Sequence, residues 1–371
     1  MSFIDISPPF SDLRNANTIQ SVNFHNTLFV NAMHYGMILM LLPAIIKLFD
    51  MAKTPQISFI EFMPVSIFGS VMGLCGLSFA WRYAAAFWKI TELPSLIFGY
   101  IAIVSFVALV ICYLYKFVKY TSLVLLEFRS PASVCFFATI IICFLLLPGV
   151  LLPINVLIAT IMWCLGAILM LLFAWYIVRA WIDQRQEPEN SMPAWVLPVV
   201  GTLDIPIIGH SLSLPGIHEI STLAFGIGSL SSLILLTIII SRLIFQEPLP
   251  KVLQPSLMIL TTPLALAFTV YHQLTGKYDM VTGALFYFNI FLLLVLGSKV
   301  VLVTVSCPFK VTWWAISFPL SAVTISALIY CQHKPDTFHQ VFAISLLALI
   351  TVLVIYLVAM TILKISMRTF A

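Results

Sequence analysis

The residues able to do chemistry are few and scattered. Asp204 ends the stretch "PAWVLPVVGTLD" and lies far from either end of an apolar run. A carboxylic acid in that position is costly and is a functional candidate by default. Seven histidines occur, at His25, His34, His210, His218, His272, His333 and His339, and none forms an HxxxH or similar ligand pair. The seven cysteines, Cys75, Cys112, Cys135, Cys143, Cys164, Cys307 and Cys331, include no CxxC pair and read as small apolar fillers. No cluster of His, Asp, Glu or Ser–Lys stands ready to handle a polar reaction centre. There is also no P-loop, no glycine-rich dinucleotide motif and no basic run of a nucleic-acid binder. The expectation is a protein that is not an enzyme, with no cofactor, no metal site and no nucleic-acid partner. One aromatic residue raises a different question: in "WWAISFPLSAV", residues 313–323, Phe318 directly precedes Pro319 in an apolar run. A proline in a helix interior removes a backbone hydrogen bond and bends the helix.

What positions these residues is a membrane. Hydrophobic residues make up 61% of the 371 and charged residues 9%, too little polar surface for a water-soluble globule. Mean hydropathy is +1.09. Apolar runs of twenty residues or so recur, the length a helix needs to cross roughly 30 Å of hydrocarbon. The fold class expected is all-α integral membrane, with ten transmembrane helices near 63–81, 93–117, 131–152, 154–181, 193–212, 218–243, 252–274, 281–304, 309–331 and 339–363. Short connections make sequence neighbours antiparallel hairpins. The first twenty residues lack the basic start and short apolar core of a cleaved signal peptide. Residues 1–55 form an N-terminal segment and 56–371 the transmembrane domain. Within the former, 27–49 is long enough to cross the membrane but contains Asn31, His34 and Pro43; it is either an eleventh span or a helix lying in the interface.

Basic residues divide unevenly between the two sides. Lys116, Lys119, Arg129, Arg179, Arg185, Arg242, Lys251, Lys299, Lys310, Lys364 and Arg368 fall on one; Arg82, Lys89, Lys277 and Lys334 fall on the other. The rich side is expected in the cytoplasm, with both ends of the ten-helix core, in a plasma (inner) membrane protein.

Internal prolines follow a period of two. Pro148 falls in the third helix, Pro198 and Pro206 in the fifth, Pro263 in the seventh and Pro319 in the ninth. The first helix opens at Pro64 and carries Gly69, Gly73 and Gly76. Even helices have essentially none. Carbonyls freed at a break are tolerated only against protein or a water-filled cavity. Two arrangements satisfy this: an inner ring of proline-kinked odd helices around a central pore, or a solid bundle whose packing the prolines adjust.

Four stretches, "MPVSIFGSVMGLCGLSFAW", "EFRSPASVCFF", "PAWVLPVVGTLD" and "WWAISFPLSAV", carry a resemblance to the tellurite-resistance/dicarboxylate transporter family, over roughly residues 60–365. That family includes the bacterial TehA protein and the plant slow anion channels. The resemblance implies five helical hairpins around a central pore, a homotrimer in membrane lipid, and small inorganic or carboxylate anions as partners. It also implies that Phe318 plugs the pore as a gate; some members follow this phenylalanine with glycine where this chain has Pro319. Hydrophobic constrictions of this kind block ions sterically and by excluding water.

The expected function is an anion channel; the alternative is a proton-linked secondary transporter for C4-dicarboxylate, sulfite or tellurium oxyanions. All eighteen Lys and Arg can be placed near span ends or in loops, which suits conduction by weak binding. Candidate polar lining comprises Ser66, Ser133, Thr202, Thr262 and Ser317, each equally able to bond its own helix backbone. Asp204 either is protonated, and then could link protons to anion movement, or faces away and bonds to backbone opened by Pro206.

Overall fold

The structure is a computed structural model that describes residues 59–306 and 309–367. The stretch 27–49 and the N-terminal boundary at 55 lie outside the described residues. Among these residues there is no strand. Among the described residues nine helices are long and apolar enough to cross a membrane, and a shorter apolar stretch, Pro193–Gly209, stands where the fifth was expected.

Two kinds of helix alternate. The continuous ones are α2 (Leu93–Lys119), α5 (Val156–Asp183), α8 (Ile217–Phe245), α10 (Met280–Ser306) and α12 (Thr337–Ser366). Between them run α1 (Gly69–Trp88), α4 (Ala138–Leu151), α6 (Val196–Val200), α7 (Asp204–Gly209), α9 (Thr262–Thr275) and α11 (Ser317–His333). Each of these breaks shows as a 3₁₀ stretch: Val65–Phe68 before α1, Val134–Phe137 before α4, Gly201–Leu203 between α6 and α7, Lys251–Thr261 before α9 and Val311–Ile316 before α11. An additional short helix, α3 (Thr121–Arg129), joins α2 to the Val134–Phe137 turn.

The broken segments form the interior. In the most apolar windows of the spans containing α1, α4, α9 and α11, 61–83% of residues are buried; in the continuous helices the figure is 22–33%. Packing runs around a closed circuit: α1 on α4, α4 on α7, α7 on α9, α9 on α11 and α11 back on α1. Each continuous helix packs on the broken segment nearest it in sequence: α2 on α1, α5 on α4, α8 on α6 and α7, α10 on α9, and α12 on α11.

The prolines mark restarts rather than mid-helix kinks. Pro198, Pro206, Pro263 and Pro319 each lie within the first three residues of an α-helical stretch. There the missing N–H would have no intrahelical partner anyway. Of the five expected prolines, Pro148 alone sits in an α-helix interior; Pro255, not among them, lies inside the 3₁₀ stretch Lys251–Thr261.

The carbonyls at every break are capped in one way. A buried hydroxyl donates to the carbonyl three residues back: Ser70 to Ile67, Thr139 to Phe136, Thr202 to Val199, Thr261 to Met258 and Ser317 to Trp314, at 2.6–2.8 Å. Outer helices add bonds from outside the ring. Trp163 Nε1 on α5 donates to the Ile205 carbonyl at 3.0 Å, and Thr361 on α12 accepts from Trp314 Nε1 at 2.9 Å.

Candidate functional site

Among the described residues, all five broken segments together line a larger and a smaller cavity inside the ring. The larger, about 220 Å³, is at the end of the ring where the 3₁₀ stretches begin, on the lysine- and arginine-rich side. All five broken segments line it, through residues such as Pro64 and Gly69, Ser133 and Thr139, Pro193 and Leu197, Ser256 and Thr262, and Trp314 and Pro319. The smaller, about 20 Å³, lies further along the ring and again takes residues from all five: Gly76, Phe79 and Tyr83, Leu146, Ile207, Leu266 and Thr269, and Ala322 and Ile325. Phe318 is the one residue that lines both.

The Phe318 ring is held where α11 meets α1. A Cβ placed on Gly73 would overlap the Ser317 hydroxyl. One on Gly76 would stand 2.7 Å from Ser321 Cβ and 3.5 Å from Phe318 Cδ2. Backbones this close need residues without side chains, the usual device where helices pack tightly in membranes. Pro319, which itself lines the larger cavity, fixes the backbone immediately after the ring. Phe318 is 7% exposed and packs as part of the core.

The expected polar residues separate into two groups. Ser66, Ser133 and Thr262 line the larger cavity, and the buried Thr262 Oγ1 has no hydrogen-bond partner. Thr202 and Ser317 line neither cavity; both are fully buried and bond backbone, Thr202 reaching also the Ala224 carbonyl at 3.2 Å. Among the expected prolines and glycines, Pro64, Gly69 and Pro319 line the larger cavity, while Pro148, Pro198, Pro206 and Pro263 are buried in the ring wall.

Asp204 opens α7 at 1% exposure, lines neither cavity, and neither of its oxygens has a hydrogen-bond partner. Asp204 thus makes no bond to the backbone opened by Pro206.

Three charged residues prove more deeply set than hydropathy implied. Arg82 is 8% exposed and donates from Nη1 to the Gly149 carbonyl at 2.8 Å, with its guanidinium 5.8 Å from the ring centre of Phe79. The first helix was expected to stop at residue 81; it continues to Trp88 and carries Arg82 inside. Lys116 and Glu127 form an ion pair of 3.0 Å whose side chains are 5% and 13% exposed. Glu127 lines the larger cavity. No periodic signal links the two, because Tyr120, between α2 and α3, breaks the helix; the clue was an acid inside the quoted stretch "EFRSPASVCFF".

Comparison with known proteins agrees with this architecture. The profile of the voltage-dependent anion channel (SLAC1) family matches residues 63–362. The S-type anion channel SLAH2 of Arabidopsis thaliana is 24% identical over 307 residues, covering 81% of this chain and 58% of that protein. The tellurite resistance protein TehA homolog of Haemophilus influenzae is 26% identical over 303 residues, 79% of this chain and 90% of that protein. An uncharacterized transporter of Methanocaldococcus jannaschii is 26% identical over 297 residues, 74% and 86%. The chain thus spans little more than half the length of the plant channel. The profile match covers every segment that encloses the two cavities, and this multi-pass membrane protein belongs to the voltage-dependent anion channel family.

Proposed function

We propose that the chain conducts small anions along the axis of the five broken segments, and that the Phe318 ring is the plug. The observation that carries this reading is the position of that ring between two cavities, each lined by all five segments. An apolar side chain across a narrow passage excludes water and with it any hydrated ion. Pro319 and the close approach of α11 to Gly73 and Gly76 hold the ring in place. The relatives named as anion channels support anions as the transported class. The family resemblance extends the reading to a homotrimer, each subunit with its own path, and to termini on the basic side of the membrane.

Phe318→Ala tests the plug. Purified protein in liposomes should release chloride at least tenfold faster than wild type; equal rates would contradict the reading.

A second reading is a proton-linked carrier for dicarboxylates or oxyanions. It rests on Asp204, whose buried carboxyl lacks any partner. An acidic side chain set this deep in a membrane segment is a functional candidate by default. Asp204→Asn should then abolish acceleration of uptake by an imposed proton gradient. Uptake of Asp204→Asn that keeps its full response to the gradient would eliminate this role.

A further inference from the structure

Glu127 poses an electrostatic problem. It is the only ionisable side chain among the described residues lining the larger cavity, and it has the sign an anion path should avoid. Its surroundings resolve the conflict. The carboxylate accepts from the Val65 backbone N–H at 2.6 Å, from Lys116 Nζ at 3.0 Å and from the Tyr113 hydroxyl at 3.2 Å. Lys116 is further fixed by the Met63 carbonyl at 2.8 Å and sits 5.5 Å from the centre of the Tyr113 ring.

An ammonium, an N–H at the start of a helical stretch and a phenol form a donor set suited to an anion. We propose that these three groups constitute an anion site directly behind the cavity lining, reached past Val65 and Glu127, that Glu127 occupies it as a tethered anion, and that small halides or carboxylates bind there when its carboxylate is removed. The inference rests on the anion-path reading for its functional meaning, though not for the binding itself. An unfilled Lys116 would hold a passing anion strongly, and conduction requires that ions leave. Glu127 therefore keeps the vestibule near neutral and its occupancy low. Thr262 Oγ1, buried and unpartnered in the same cavity, is a neutral donor available to the anion that passes.

Two variants separate charge from space: Glu127→Gln removes the negative charge while its amide oxygen can still accept from Val65 N–H, and Glu127→Ala also vacates the room the carboxylate fills. Crystals of the full chain grown in bromide should show an anomalous peak beside Lys116 Nζ in Glu127→Ala and none in wild type. In a Phe318→Ala background, which supplies measurable flux, Glu127→Gln should lower the half-saturating chloride concentration about tenfold, the scale of one uncompensated charge near a wet cavity. Lys116→Met added to that variant should return it to the starting value. No bromide at Lys116, or a half-saturating concentration that does not move, overturns the proposal. Lack of chloride flux in Phe318→Ala itself would count against the transport reading, while the bromide peak judges the site independently. Should Glu127→Gln fail to accumulate, Glu127→Ala prepared with acetate takes its place. Acetate should raise its melting temperature by filling the vacated site, and no rise would overturn the proposal.

Discussion

The inner and outer helices obey different rules although both cross the same apolar slab. The outer five run 27–30 residues without a break, and only 22–33% of their most apolar windows is buried. The inner segments contain a 3₁₀ stretch each and are mostly buried. The difference follows from where the peptide groups point. Backbone facing lipid must close every hydrogen bond within its own helix, whereas backbone facing protein can open if something else closes it. Here five hydroxyls, one per inner segment, do so at the breaks. The lesson is that irregular backbone was admitted only where neighbouring helices shield it, and that is also where the cavities lie.

Substitutions that exchange the properties of the two rings probe this contrast. The largest effect should come from a proline in an outer helix. Ile234 lies in the interior of α8 and is 63% exposed, so Ile234→Pro disturbs little packing, yet it should cost about 3 kcal/mol through the lost hydrogen bond and steric clash. Pro206→Ala, at an inner restart, should cost under about 1 kcal/mol, since the restored N–H lies in a first turn. Thermal unfolding in detergent would rank the pair, and a reversed order would break the comparison.

Glycines give the next effect. Gly73→Ala should destabilise by about 1–3 kcal/mol by driving α1 from Ser317, and should raise basal anion leak because Phe318 rides on the displaced backbone. Gly283→Ala on α10, where a Cβ meets nothing within 4 Å, should be neutral or stabilising by up to about 1 kcal/mol. Equal melting temperatures for these two variants would deny that the inner contact is tight.

The smallest effect belongs to an outer helix end. Asp336 caps α12, accepting from the His339 backbone N–H at 2.9 Å and lying 2.7 Å from its Nδ1. These bonds favour the ionised carboxyl and hold its pKa below the ordinary 3.8. A folded-state value below the unfolded one means that stability is present above about pH 4 and is lost as pH falls through the lower, folded value. Asp336→Asn should flatten that acid limb of the stability profile slightly, as measured by melting temperature against pH.

The spans, and which of them are broken, were legible in the sequence, while the prolines left a ring and a solid bundle both open. Hydropathy located the continuous helices, and Leu93, for example, begins α2 where an apolar run was expected. The alternation of prolines marked which segments are broken. The form of the breaks was not legible: Pro263 and Pro319 stand beside 3₁₀ stretches because Thr261 and Ser317 cap them, a pairing visible only once the turns are formed. For the site, Phe318 stood out by its proline neighbour, whereas nothing in the sequence singled out Glu127 beyond its place in the stretch "EFRSPASVCFF". Lys116 and Glu127 meet through the fold of α2 against α3, which no period of 3.6 residues encodes.

The account depends on the benzyl group of Phe318 closing the passage between the two cavities. Liposome chloride flux through a size series at that position tests this most directly. The expected order is Phe318→Ala fastest, Phe318→Leu intermediate, and Phe318→Trp no faster than wild type. Flux that does not change with side-chain size would contradict it.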